Sequence, residues 1–279
     1  YLTILLMIFL IIIPVGLIGA LQYIQLLKEE LNEVEDDLQE FKDFKDELYV
    51  EGVLDELATE MGEYDEDDDF EHAFDAYERE DYKTAYKLFL SLANKGDADA
   101  QFSVGDMLED GLGVKQNYKK AIKWYRLAVK QGHGTAQSAL GFMYCHGRGV
   151  EQDYKQAIKW YQLAGYKGDA DAQFFMGLFY EGVLCKNWEE MPKDYQKAMN
   201  WYLLSATQRN ATAQNNLGLM YYQGIRTPQN YKEALRLFRL SAEQEYAQAQ
   251  LNLGGMYFNG RGVPQDYKEA IRLYRLCAE

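Results

Sequence analysis

The side chains with the most reactive chemistry in this sequence are three cysteines and three histidines. Cys145 stands directly before His146, and a thiol beside an imidazole could act as a nucleophile or as a pair of metal ligands. No second group of ligands accompanies this pair, so we interpret it as an ordinary helix end, and we interpret His72 and His133 as isolated. The odd number of cysteines, with no short spacing, predicts neither a zinc knuckle nor a disulfide framework, although one bond remains possible among Cys145, Cys185 and Cys277.

The acidic residues do not form a pattern that is typical of catalysis or of calcium binding. The run DEDDD at 65–69 lacks the regular loop spacing and central glycine of a calcium site, and we interpret it as a solvated linker. From residue 82 onward the acids are scattered at turns and helix starts, as at Asp153 and Asp266, where they suit helix caps. An enzyme would need titratable groups that converge in a pocket. The sequence therefore predicts no catalytic site, no metal and no cofactor.

Charge is distributed unequally along the chain. Residues 1–81 carry 25 acidic and 4 basic side chains, whereas residues 82–279 carry 19 acidic and 25 basic ones. The negative net charge of −15 therefore comes from the N-terminal part of the chain, because the rest is mildly positive. Because the mildly basic remainder has no dense Lys/Arg stripe along the sequence, we do not expect a nucleic-acid partner.

The first 27 residues contain no charged side chain, and about 20 apolar residues suffice for a helix to cross a membrane. We predict a single transmembrane helix at 1–27, because membrane helices tolerate residues such as Pro14, Gly16 and Gly19. A cleaved signal peptide is the alternative, but its apolar region should be shorter. Because Lys28 is the only basic residue that follows closely, we expect the C-terminal part to lie outside the cytoplasm, in a periplasmic or other extracytoplasmic space.

An acidic helical stalk is predicted at 28–62, followed by a linker at 63–69. Apolar residues recur in steps of four and three through most of the stalk, which indicates a coiled-coil seam, at Leu27, Leu31, Val34, Leu38, Phe41 and Leu48. The acidic flanks of this seam would repel a second copy. A homo-oligomer therefore competes with a single helix that packs on a partner helix or on the basic repeats.

Internal repetition decides the organisation of the remaining chain. AQ dipeptides recur at intervals of 36, 36, 41 and 36 residues, starting at Ala100, Ala136, Ala172, Ala213 and Ala249. Such a period marks a solenoid of stacked helical units. We predict five repeats over 97–279 and an N-terminal helical cap at 70–96. Because the chain begins with Tyr1 and stops at Glu279 directly after a helix, we expect further residues at both ends.

Each repeat is predicted to contain two helices, which we name helix A and helix B. Helix A carries a glycine in its middle, which costs about 1 kcal/mol relative to alanine and therefore indicates that another helix crosses closely at Gly105, Gly141, Gly177, Gly218 and Gly254. Glycine pairs such as Gly111 and Gly113 follow helix A, where a helix end and turn need positive φ. Helix B repeats aromatic residues such as Trp160 and Tyr161, which we assign to the core.

The combination AQ, LG, Met-Tyr, GxGV, DYxxA and WYxxA at a 36-residue period resembles the Sel-one-like repeat family, a branch of the tetratricopeptide-like helical repeats. The resemblance implies an all-α, right-handed α-solenoid of helix-turn-helix repeats that assembles protein complexes, often at bacterial envelopes or in the endoplasmic reticulum membrane. Some extracellular members staple their repeats with paired cysteines, and this chain does not resemble that subgroup. In tetratricopeptide-like solenoids helix A lines the concave side.

Positions that vary between repeats are candidates for partner contacts, because core positions recur when every repeat meets the same neighbours. Offsets two, six and nine from each AQ alanine lie on one helical face. In order they are Phe102, Asp106 and Glu109; Ser138, Phe142 and Cys145; Phe174, Leu178 and Glu181; Asn215, Leu219 and Tyr222; Leu251, Gly255 and Phe258. We predict that an apolar trough able to hold a helix or an extended peptide is formed by Phe142, Phe174, Leu178, Tyr222 and Phe258. Asp106, Glu109 and Glu181 are its predicted polar margin, and the alternative is that these side chains are additional core packing.

A five-residue insertion lengthens one turn, within 183–195, without disturbing the repeats on either side. Insertions in solenoids map to loops, which often carry contacts, and Trp188 is the predicted anchor of this loop. A tolerated decoration is the alternative. Together these features predict a membrane-anchored protein-binding scaffold that assembles or stabilises a membrane protein complex. The alternative function is an enzyme, or an enzyme-associated subunit, of cell-envelope metabolism.

Overall fold

The computed structural model describes residues 66–184, 193–225 and 227–277. Over these ranges the chain is all-helical, and twelve helices follow one another without a strand. They are α1 Glu66–Glu78, α2 Tyr82–Lys95, α3 Ala98–Asp110, α4 Tyr118–Lys130, α5 Gly134–His146, α6 Tyr154–Tyr166, α7 Ala170–Glu181, α8 Tyr195–Thr207, α9 Ala211–Gln223, α10 Tyr231–Ala242, α11 Ala247–Asn259 and α12 Tyr267–Leu276. Odd-numbered helices are helix A of a repeat, and even-numbered helices are helix B.

The helices begin and end where the sequence signals predict. Asp97 caps α3, because its carboxylate accepts a 2.7 Å hydrogen bond from the backbone N–H of Ala100. The predicted caps Asp153 and Asp266 are confirmed in the same way at α6 and α12. Gly111 ends α3 in the left-handed conformation, with φ 76°, which confirms the predicted need for positive φ at this turn.

The helices form an α-solenoid of helical repeats. Two compact units are distinguished, one ending at Gln152 and the other beginning at Asp153. The first contains α1 to α5, and the second contains α6 to α12. Within each unit consecutive helices pack on one another, so they bury apolar faces that no single helix could bury alone. The right-handed sense of the solenoid stays a prediction.

Four of the mid-helix glycines, Gly105, Gly177, Gly218 and Gly254, lie beneath aromatic rings of helix B, as their recurrence predicts. A Cβ on Gly105 would lie 2.6 Å from Cδ1 of Tyr125, which is closer than any real Cβ contact. The same relationship joins Gly177 to Tyr202, at 2.4 Å from Cδ1. The rings themselves are fully buried, which confirms the aromatic residues of helix B as core.

The predicted N-terminal cap is a helix pair. α1 packs on α2, and the rings of Phe70 and Phe89 meet edge to face with centroids 5.3 Å apart. α1 already begins at Glu66, so most of the acidic run at 65–69 belongs to a helix and not to an extended linker as we expected. Acidic residues are favourable in the first turn of a helix, where the macrodipole is positive.

Three predicted features fall outside the described residues: the membrane helix at 1–27, the stalk at 28–62 and Trp188 in the insertion loop. Within the part of the chain that the structure describes, no helix has the length and apolar character needed to cross a membrane.

Candidate functional site

The predicted trough residues of the second unit lie half-buried on helix A. Phe174 and Leu178 of α7 pack against the core cluster that contains Tyr202 of α8. The ring of Phe174 lies 6.0 Å from that of Tyr202, in a tilted arrangement. These two side chains therefore pack on the core and are also partly accessible to solvent. Their position is compatible with a partner-binding trough and with additional core packing.

Leu219 and Tyr222 of α9 have the same half-buried character. The Tyr222 ring packs edge to face on Tyr231, with centroids 5.3 Å apart, and the guanidinium of Arg261 lies 5.3 Å from its centre. Arg261 also donates a hydrogen bond to the Tyr222 hydroxyl. Tyr222 is therefore held by helix B of its own repeat and by the turn of the next one.

The trough is most open on α11. Leu251 is 42% exposed and Phe258 is 48% exposed, whereas Gly255 between them adds no side chain. Phe258 packs edge to face on Tyr267, with ring centroids 5.3 Å apart, so its ring is oriented although nearly half of it meets solvent. Phe258, a predicted trough residue, and Leu251, a variable position on the same helical face, are therefore well placed to meet another protein.

Helix A of successive repeats forms a continuous row in the second unit. Asn252 of α11 donates a 2.8 Å hydrogen bond to Oδ1 of Asn215 of α9. Asn210, which caps α9, donates a 2.8 Å hydrogen bond to Oδ1 of Asp171 in α7. The apolar side chains of these three helices consequently belong to one surface, which we call the helix A face.

Two of the variable positions are buried and cannot reach a partner. Cys145 is 3% exposed, and burial raises the pKa of its thiol to about 11, so it is a poor nucleophile at neutral pH. Asn215 is 2% exposed, and its side chain is occupied by the bond from Asn252. Variation between repeats therefore does not by itself mark exposure.

In the first unit the corresponding aromatic side chains are also half-buried. Phe102 stacks on the ring of His133, with centroids 4.8 Å apart. The guanidinium of Arg148 lies 4.7 Å from the centre of the Phe142 ring. Each of these rings is thus in contact with a polar side chain as well as with a second aromatic ring, Tyr125 for Phe102 and His146 for Phe142.

The two glutamates predicted at the polar margin accept hydrogen bonds from other side chains of the protein. Glu109 accepts a 2.9 Å hydrogen bond from the hydroxyl of Tyr125 and a 3.0 Å bond from Arg148. Glu181 accepts a 2.6 Å hydrogen bond from the hydroxyl of Tyr202. Burial, together with the neighbouring carboxylates, raises the pKa of both tyrosines well above the usual value, so their hydroxyls stay protonated donors. These glutamates join helix A to helix B.

Asp106 differs from the other margin residues because it lies beside two like charges. Burial and the nearby carboxylates of Asp110 and Glu109 raise its pKa to about 6. Near neutral pH this group is consequently close to its titration range, and a cationic neighbour would favour its charged form.

The structure explains the AQ dipeptide, which the sequence analysis used only as a marker of the period. The glutamine is buried and donates to a carbonyl at the end of the preceding helix B, as Gln214 does to Ala206 at 3.1 Å. In the repeats of Gln101, Gln173 and Gln214 the Oε1 of this glutamine also accepts from a glutamine at the end of the following helix B, and for Gln214 the donor is Gln244 at 2.9 Å. The recurrence of a buried polar residue was the available signal, because a buried amide needs partners.

His133, one of the reactive side chains in the sequence, has a structural role. His133 caps α5, because its Nδ1 accepts from the backbone N–H of Ala136 at 3.1 Å. Its Nε2 lies 3.1 Å from Asp99. Within the described ranges, no group of three His, Cys, Asp or Glu side chains is arranged to hold a metal ion.

Comparison with known protein families identifies the family to which these repeats belong. The Sel1 repeat model matches six segments of the chain, at 72–97, 98–133, 134–169, 170–210, 211–246 and 247–279. The chain belongs to the Sel1 repeat family, whose members are protein-interaction scaffolds. The first matched segment shows that the predicted N-terminal cap carries the repeat pattern as well.

Solved structures support the same assignment. A Sel1 repeat protein from Oxalobacter formigenes is 32% identical, with a TM-score of 0.69 over 75% of this chain and 83% of that one. The protective antigen c5321 of uropathogenic Escherichia coli, which displays an SLR fold, is 31% identical, with a TM-score of 0.67 over 81% of this chain and 48% of that one. The immunity protein Pa5087 of Pseudomonas aeruginosa, at 17% identity and a TM-score of 0.51, shares the fold. The curated proteins contain no match.

Proposed function

We propose that the chain is a membrane-anchored scaffold that binds another protein through the helix A face and thereby assembles or stabilises a membrane protein complex. The observation that carries this proposal is the row of partly or largely exposed apolar side chains on three successive helices of the second unit. They are Phe174, Leu178, Leu219, Tyr222, Leu251 and Phe258.

Such a row suits the apolar side of a helix or of an extended peptide. Rigid aromatic and aliphatic side chains contribute large contact areas at a low entropic cost, and Phe258 and Tyr222 are already oriented by ring contacts. The pre-formed bonds of Glu181 and Arg261 fix the polar surroundings before a partner arrives. A rigid surface of this kind is typical of scaffolds that bind without rearrangement.

Membrane attachment would come from residues 1–27, whose uncharged apolar sequence is long enough to cross the hydrocarbon core. The shortage of basic residues directly after this segment favours an extracytoplasmic position of the repeats. A partner that is itself embedded in the membrane would then meet the solenoid at high local concentration.

The test compares two pairs of exposed apolar residues on opposite layers of the second unit. Leu251→Ser with Phe258→Ser alters the helix A face, whereas Leu203→Ser with Leu204→Ser alters residues that are 48% and 49% exposed on helix B. Proteins that copurify with the full chain from detergent are quantified by mass spectrometry. We expect the helix A variant to lose its partner on the order of ten-fold, as expected when a hot-spot residue is lost.

The control pair should retain the partner, and both variants should melt close to the parent because all four side chains are largely exposed. Loss of the partner in the control pair alone would place the binding surface on helix B. Equal capture by all three proteins would overturn the proposal.

A further inference from the structure

The two layers of the first unit carry opposite charge. Among the three helices A of this unit, α1 and α3 carry eleven Asp or Glu and no Lys or Arg, whereas α5 carries none of these residues. Helix B, α2 and α4, carries eight lysine or arginine side chains and no acidic one. These basic side chains do not form a continuous run along the sequence, because the acidic α3 separates α2 from α4.

The structure brings α2 and α4 side by side. At one end, a Cβ on Gly113, in the turn before α4, would lie 2.0 Å from the carbonyl oxygen of Tyr82, the first residue of α2. At the other end, Gln131 after α4 donates a 2.7 Å hydrogen bond to the carbonyl of Gly96 after α2. The two helices therefore run in the same direction as neighbours, and their basic side chains lie in one layer.

The cations of α4 follow helical spacing. Steps of four, three and four residues separate Lys119, Lys123, Arg126 and Lys130, which places them on one side of the helix. Ala121, Tyr125 and Ala128 are fully buried, and the Tyr125 ring faces Gly105 of α3. With Lys83 and Lys87 of α2, the four cations of α4 form a surface that we call the basic face.

An acidic counterpart with the same spacing is present in the same chain. Residues 29–51 contain eleven acidic and two basic side chains. Steps of four, three, four, three and four residues separate six of the acids, at Glu29, Glu33, Asp36, Glu40, Asp43 and Glu47. If this segment is helical, as its apolar seam predicts, these six carboxylates form one continuous stripe.

We propose that the segment 29–51 docks on the basic face of its own chain, with its acidic stripe against the cations of α4 and α2. Charge complementarity and matching residue spacing support this occupant over a second copy of the segment, whose net charge of −9 would repel its equal. Covalent connection adds to the attraction, because a short linker raises the effective concentration of the segment to the millimolar range.

Docking on helix B would leave the helix A layer of the first unit uncovered by the segment. The stalk would then fix the first unit relative to the predicted membrane helix. Because several weak surface ion pairs would act together, the contact should be sensitive to salt.

The first measurement is zero-length carbodiimide cross-linking of the full chain in detergent, followed by mass spectrometry. We expect amide links between lysines 119, 123 or 130 and carboxylates of residues 29–47. Mixing unlabelled chain with ¹⁵N-labelled chain identifies the origin of each link. Links within one isotope support the proposal, whereas links between isotopes show docking on a second copy and overturn it.

The second measurement compares the rate of chymotrypsin cleavage in variants whose charges are reversed. Chymotrypsin cleaves after aromatic residues such as Phe41 and Phe44. The variant Lys119→Glu with Lys123→Glu should increase cleavage within 29–51 on the order of ten-fold, as several ion pairs acting together would predict. The variant Glu33→Lys with Asp36→Lys should do the same. The combination of all four substitutions should restore protection.

Lys232→Glu with Lys268→Glu is the matched control, because these exposed lysines lie on helix B of the second unit. This control should leave cleavage unchanged. Cleavage that is equal in all variants, or that is not restored by the combination, would overturn the proposal. Repeating the experiment in nanodiscs with anionic lipid tests the alternative ligand: loss of the cross-links there would assign the basic face to lipid headgroups instead.

Discussion

The hydroxyl of Tyr202 donates a 2.6 Å hydrogen bond to Oε2 of Glu181, and so joins helix B of one repeat to its helix A. Tyr125 and Glu109 make the same bond at 2.9 Å in the first unit. Where helix B carries Phe238, which has no hydroxyl, the position equivalent to the glutamate is Tyr222. Tyrosine also occurs without the glutamate, because Tyr161 and Tyr274 belong to repeats that carry Cys145 and Phe258 at the other position. Both glutamates, however, have the tyrosine donor, as a half-buried carboxylate requires.

Tyr202→Phe should lower the free energy of unfolding by about 1–2 kcal/mol, because Glu181 loses its donor while the ring keeps its packing on Gly177. Urea unfolding followed by circular dichroism measures the loss. A double-mutant cycle with Glu181→Gln should give a coupling energy of at least about 0.5 kcal/mol. Tyr267→Phe, at a ring that is 53% exposed, is the control and should change little. Additive effects of Tyr202→Phe and Glu181→Gln would contradict the prediction.

Features that depend on neighbouring residues in the chain could be predicted from the sequence. The helix caps Asp153 and Asp266 and the glycines under helix B rings were predicted correctly because each repeat presents the same local pattern several times. The burial of Cys145 and Asn215 could not, because it depends on how one repeat packs on the next and both positions vary. The bonds of Glu109 and Glu181 were missed for the same reason.

The buried AQ glutamine should contribute measurably to the cohesion between repeats. Gln214→Leu keeps a similar volume but leaves the Ala206 carbonyl and the Gln244 amide without this partner. We expect a loss of about 1–3 kcal/mol in unfolding free energy, since each buried polar group that loses its partner carries a desolvation cost. Gln223→Leu, at an exposed position on the same helix, is the matched control and should lie within about 0.5 kcal/mol of the parent. Equal destabilisation by the two substitutions would refute this role.

Asp106 should make stability depend on pH in the mildly acidic range. Its pKa is raised from 3.8 to about 6, so the folded chain binds this proton more tightly than the unfolded chain. The contribution of Asp106 to the unfolding free energy therefore falls as the pH rises from about 4 to about 6. Asp106→Asn should remove this fall and stabilise the chain by about 1 kcal/mol at pH 7, after allowance for solvent screening. Below pH 4 the variant and the parent should have the same stability.

Urea titrations between pH 3.5 and 7.5 test the sign of this effect. Asp110→Asn should reproduce part of it, because Asp110 is the strongest of the like charges that raise the pKa of Asp106. A constant difference between Asp106→Asn and the parent at every pH would show that the substitution acts through packing and not through titration.

Two adjacent glycines of α11 allow a matched test of close helix packing. A Cβ on Gly254 would lie 2.6 Å from Cε1 of Tyr274, whereas a Cβ on Gly255 would meet only the Tyr274 hydroxyl, at 3.9 Å. Alanine is favoured over glycine in a helix by about 1 kcal/mol, and forced overpacking costs about 1–3 kcal/mol. Gly255→Ala should therefore stabilise the chain, and Gly254→Ala should destabilise it.

Urea unfolding of the two variants should separate them by about 2 kcal/mol, with the parent between them. Tyr274→Leu provides the internal check, because removing the ring should relieve the clash and make Gly254→Ala less destabilising in that background. If both alanine variants were stabilised equally, the ring of helix B would be free to move away from helix A. The recurring glycine would then have no steric cause at this repeat.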